Sequence, residues 1–146
     1  MDEAKLRAHL KGSQLVIGDV AETAKTFFDD YNPAPIAAAF FDLDFYSSTV
    51  AAMKLFEGDD SHFLPRVYCY FDDTTSDGLG AFNDYTGERL AIREFNQSHE
   101  HKKFAAIYLY TQSELWQRRL WVFHNFVHSK YNTFILGGPL RMPLDR

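Results

Sequence analysis

The chain has 146 residues, 46% apolar and 24% charged, with 14 Phe, 8 Tyr and a formal net charge of −5. This is enough sequence for one domain with a sizeable core, and the charged fraction excludes a disordered polyelectrolyte. Acids are in excess and basic pairs occur only at Lys102-Lys103 and Arg118-Arg119, which excludes the clustered cations that nucleic-acid binding needs.

The start, Met1-Asp2-Glu3-Ala4, has neither the positive charge nor the apolar stretch of a secretion signal, so a cytoplasmic protein is expected. Residues 2–10 place Leu6 and Leu10 four apart ahead of Gly12, as a short helix with a glycine cap would. Residues 14–17 form a brief apolar run ended by Gly18-Asp19, which predicts a buried strand. Residues 21–28 read as a helix, and Asn32-Pro33-Ala34-Pro35 as a break. Residues 36–41 are a continuous apolar run, as in a strand covered on both faces. Tyr46, Val50 and Met53, widened by Leu55 and Phe56, predict an amphipathic helix.

Residues 66–71 repeat the strand pattern and hold the single cysteine, Cys69, which excludes an internal disulfide and reads as a small core residue. A polar, glycine-containing loop over 74–80 follows. Residues 86–96 predict a helix, with Thr86 as its cap and Leu90, Ala91 and Phe95 on one face. Residues 104–110 predict another strand. In the tail, Leu115, Leu120, Phe123 and Val127 give helical spacing over 114–130, with a last strand over 131–136. No apolar run is long enough to cross a bilayer. The alternation of strands and helices predicts a single α/β domain: an open, mostly parallel, three-layer sheet with flanking helices.

Two predicted strands end in acids, Phe41-Asp42-Leu43-Asp44 and Phe71-Asp72-Asp73. Parallel strands side by side would bring Asp42, Asp72 and Asp73 to one rim, where open sheets bind ligands. Three carboxylates without sulfur or imidazole suit a hard cation such as Mg²⁺. The alternative is structural: Asp44 caps the following helix and Asp72-Asp73 opens a turn. Other short patterns compete. Asp42-Leu43-Asp44 matches the opening of D-x-D phosphatases, but Tyr46 stands where those have Thr or Val. It also fits metal-dependent glycosyltransferases. His124 and His128, four apart, could share a helix face as zinc ligands do, yet no H-E-x-x-H glutamate lies between them. His99 and His101 read as a solvated helix end, and Arg118-Arg119 as a wet face that could meet an acidic partner.

The stretch Phe41-Asp42-Leu43-Asp44-Phe45-Tyr46-Ser47-Ser48-Thr49 resembles the D-x-D-L-Y-x-S-T segment of macrocin-type O-methyltransferases, which are class I S-adenosylmethionine-dependent enzymes. Phe71-Asp72-Asp73 is similar to their acidic pair after the next strand, and Gly18-Asp19-Val20-Ala21-Glu22-Thr23 to the turn after their third strand. The resemblance runs from about residue 6 to 104, and less specifically to His124, His128 and Tyr131-Asn132. It implies a metal held by Asp42, Asp72 and Asp73 that binds a small molecule's hydroxyl and activates it for methyl transfer. Asp44 would support those ligands or cap its helix, and Asp19 would lie near the adenine of the cofactor. The family's glycine-rich turn after a first strand, and the acid after a second, have no counterpart before residue 14, and Gly78-Leu79-Gly80 follows the wrong strand. The expectation is therefore the rear part of a methyltransferase-like Rossmann sheet, inactive without the cofactor loop. The alternative is a non-catalytic remnant. Lacking the first two strands, such a sheet exposes an edge, so residues 14–17 would re-pair with 36–41, or two chains would join there as a homo-oligomer.

Overall fold

The computed structural model describes residues 2–75, 83–107 and 115–133. Five helices and four strands follow in chain order: α1 (Glu3–His9), α2 (Val20–Tyr31), β1 (Ile36–Phe41), α3 (Tyr46–Met53), β2 (Phe63–Phe71), α4 (Gly87–Ser98), β3 (Lys102–Ala106), α5 (Leu115–Arg118) and β4 (Leu120–Asn125). Short 3₁₀ turns at Lys54–Glu57, Asp60–His62 and Asp72–Thr74 join them.

The sheet order is β1-β2-β4-β3. β1 and β2 run parallel, whereas β4 is antiparallel to both of its neighbours. The fold is thus α/β with an open, mixed four-stranded sheet. Its inner face is aromatic. Phe63, Val67, Cys69 and Phe71 of β2 meet Phe123 of β4 and Phe104 of β3, and helix residues Met53, Ala91, Ile92 and Phe95 close over them. α2 packs at the margin through Val20 and Phe28. All three long helices among the described residues therefore lie on one face, giving two layers where three are predicted. On the other face Phe40 is 79% and Tyr68 63% exposed.

Most elements lie where periodicity places them, and the exceptions have physical causes. Residues 14–17 form no strand and do not re-pair with β1. An extended segment needs a neighbour for its N–H and C=O groups, and α2 leads away from it directly into β1. The predicted helix over 114–130 is only one turn, α5, before β4 begins. Leu120-Trp121-Val122-Phe123-His124-Asn125 alternates, with Trp121, Phe123 and Asn125 buried, so a period of two governs it. His124 accordingly sits on a strand and His128 in a turn, and they share no helix face. His124 bonds the Tyr131 hydroxyl through Nδ1 at 2.8 Å, and His99 stacks on Phe95 at 4.0 Å. Residues 131–133 form a turn, and the remainder of the predicted last strand lies outside the described residues, as do 108–110 of the strand before it and 76–80 of the polar loop.

Candidate functional site

β1 and β2 are held level at their carboxyl ends. Phe41 and Phe71 are register partners, and their rings stack at 4.3 Å with planes 7° apart. The chain leaves both strands at the same height and delivers Asp42 and Asp72 to one rim. Asp42 is exposed, as is Asp44, while Asp72 and Asp73 are half-buried in the turn that follows β2. The N-cap position of α3 belongs to Phe45, with no capping side chain, so Asp44 does not cap the helix as the structural alternative requires.

The rim contains partners that sequence reasoning passed over. The Tyr70 hydroxyl donates to Asp72 Oδ1 at 2.7 Å, and Arg119 Nη1 donates to the same oxygen at 2.8 Å and to the Tyr70 hydroxyl oxygen at 3.0 Å. Arg119 is fixed by its backbone as well, since its carbonyl accepts the Phe71 N–H at 3.0 Å. The wet face expected of Arg119 is instead an ion pair with the rim, and the Tyr70 hydroxyl followed by the charges of Asp72 and Asp73 raises the guanidinium's proton affinity. Behind the rim stands Glu88, 1% exposed, whose Oε2 accepts the Asp73 N–H at 2.8 Å. Its Oε1 has no partner. Burial, reinforced by the charges of Asp73, Asp72 and Asp42, pushes the Glu88 carboxyl up to about 8, against the opposing Asp73 N–H bond. Asp73 is raised by burial and then by the charges of Asp72, Asp44 and Asp42. A signal for Glu88 was present in the sequence. It heads the stripe Glu88, Ala91, Ile92, Phe95, which turns inward at 3.6-residue spacing.

The shared rim therefore exists, but its donors do not fit a resident metal. Among the described residues no three His, Cys, Asp or Glu side chains converge to hold an ion. One oxygen of Asp72 is taken by Arg119 and Tyr70. Asp19 has a structural explanation of its own. Its Oδ1 accepts the Ala21 N–H at 2.8 Å and caps α2, and its carbonyl accepts the Thr23 hydroxyl. Gly18 precedes it because a Cβ there would lie 2.8 Å from Thr23 Cγ2. The Gly18-to-Thr23 motif thus builds a helix start. Along the outer edge of β1 runs an apolar groove of about 520 Å³, lined by Val20, Phe27, Ile36, Ala38, Leu43 and Leu55, with Asp42 at its margin.

No family model, curated protein or solved structure matches the chain. No helix among the described residues is long and apolar enough to cross a membrane.

Proposed function

We propose that these residues correspond to the rear portion of a class I O-methyltransferase fold and do not bind S-adenosylmethionine tightly by themselves. The observation that carries this reading is the strand order β1-β2-β4-β3 with β4 reversed. In a class I methyltransferase sheet the fourth, fifth, seventh and sixth strands lie side by side in that way, the seventh antiparallel. This is a likeness of fold, and the activity rests on the resemblance around Asp42 and Asp72. The unpaired segment at residues 14–17 stands where a third strand would, separated from β1 by the groove that two further strands would fill.

The cofactor does not fit the residues present. No glycine-rich turn follows a strand ahead of β1, and the Asp19 carboxylate is committed to its own helix. No chemical step is derived through it. Calorimetry of the chain with S-adenosylmethionine, with and without Mg²⁺, is expected to show no micromolar binding. A micromolar Kd, equivalent to about 8 kcal/mol of recognition, would overturn the reading.

A second reading, a homo-oligomer joined edge to edge, is favoured by the contrast between the two sheet edges. The edge at β3 is closed: Asn96 pairs with both the N–H and the C=O of Phe104, at 2.8 and 2.7 Å, and Lys102 and Lys103 reach the carbonyls of Gly58 and Asn96. The edge at β1 has no such protection. Ile36-Ala37-Ala38-Ala39-Phe40-Phe41 carries no charge, and small residues permit close approach. A two-fold antiparallel pairing centred between Ala38 and Ala39 sets Ile36 against Phe41 of the second copy. It separates the acidic ends, because each Asp42 then faces Pro35. Sedimentation velocity is expected to give a dimer for the wild type and a monomer for Ala38→Lys, which puts a charge on the edge strand. A monodisperse wild-type monomer at high micromolar concentration would rule the dimer out.

A further inference from the structure

We infer that Arg119 supplies the acidic rim with its counter-charge from within the chain, and that the rim takes up a divalent ion only when that guanidinium is removed. The inference uses the rim's geometry and does not depend on the methyltransferase reading.

Four carboxylates, Asp42, Asp44, Asp72 and Asp73, act on one another at the ends of β1 and β2. Such a group needs positive charge nearby, and a guanidinium bonded to a carboxylate provides it without any ion from solution. Arg119 is set for this role by three independent contacts: its Nη1 on Asp72 Oδ1, the same Nη1 on the Tyr70 hydroxyl, and its backbone carbonyl on the Phe71 N–H. The last contact belongs to the sheet, so the base of the side chain is fixed to β2 beside the rim. Tyr70 completes the arrangement by donating to the Asp72 oxygen that Arg119 uses. A hard dication prefers carboxylate oxygens with free lone pairs and tolerates no fixed positive charge on its ligand. Asp72 is therefore a poor ligand while Arg119 is in place. The absence of a converging ligand triad among the described residues agrees with this. Glu88, buried behind the rim with Oε1 unpartnered, shows that the site still has oxygen donors beyond those Arg119 satisfies.

The test is a Mn²⁺ titration followed by electron paramagnetic resonance, which counts free ion directly. Wild type is expected to bind no Mn²⁺ below about millimolar, since its rim is already compensated. Arg119→Met is expected to gain a site at least ten-fold tighter, and adding Asp73→Asn to that variant is expected to abolish it. Arg119→Gln, which keeps a hydrogen-bond donor for Asp72 but no charge, is the second variant if the methionine form does not fold, and the same gain is expected. Arg119→Lys is expected to gain nothing. Micromolar Mn²⁺ binding by the wild type that Asp73→Asn removes would overturn the inference. So would a folded neutral variant, with a native far-ultraviolet spectrum, that gains no site.

Discussion

Phe56→Ala is expected to destabilise the fold by about 4 kcal/mol, a large part of what a domain of this size has in reserve. Phe56 is almost fully buried at the centre of the aromatic layer. Its ring centroid lies 4.7 Å from Phe123, 5.1 Å from Phe104, 5.3 Å from Phe63 and 6.0 Å from Phe41. These four neighbours come from all four strands or their immediate starts, so truncation leaves a cavity that no single element can move to fill. Urea unfolding should show a lower midpoint with an unchanged slope. Phe40→Ala provides the contrast. That ring is exposed, and its loss should cost no more than about 0.5 kcal/mol. Equal effects at the two positions would contradict the assignment of Phe40 to the open face.

Glu88 is expected to make stability fall as pH rises. Its carboxyl lies near 8 in the folded protein against an ordinary value of 4.5. Between those values the native state holds a proton that the unfolded chain has released, so unfolding becomes easier with each pH unit. The group imposes no penalty below about pH 4.5 and its full penalty above about pH 8. At roughly 1.4 kcal/mol per unit the total is on the order of 4 kcal/mol. Glu88→Gln keeps an oxygen to accept the Asp73 N–H and cannot ionise. Its urea midpoint should therefore decline less between pH 5 and pH 8.5, and at pH 8.5 it should exceed wild type. Parallel stability curves for the two proteins would show that Glu88 is not buried as described.

The two effects bear on function differently. The Phe56 layer sets the height at which β1 and β2 end, because Phe41 belongs to it and stacks on Phe71. Glu88 fixes the turn after β2 through the Asp73 N–H, and so positions the rim from behind. A defect in either would disturb the acidic rim without touching an exposed carboxylate.

The sequence by itself determined the local elements whose signals are local. The spacing of Leu90, Ala91 and Phe95 placed α4. The run at 36–41 placed β1, and the break at Asn32-Pro33 ended α2, where Asn32 takes a left-handed φ of 40°. It also placed acids at the ends of two strands, because a strand end followed by a turn is written in consecutive residues. Only the tertiary structure decided what depends on neighbours remote in sequence. Whether residues 14–17 form a strand depends on a partner strand, and none is there. Whether residues 120–125 form a strand or a helix was settled by burial between β2 and β3, because a short apolar run fits both periods until it has neighbours. Whether Asp72 is free to hold an ion was settled by Arg119, 47 residues away, through an ion pair that leaves no pattern along the chain.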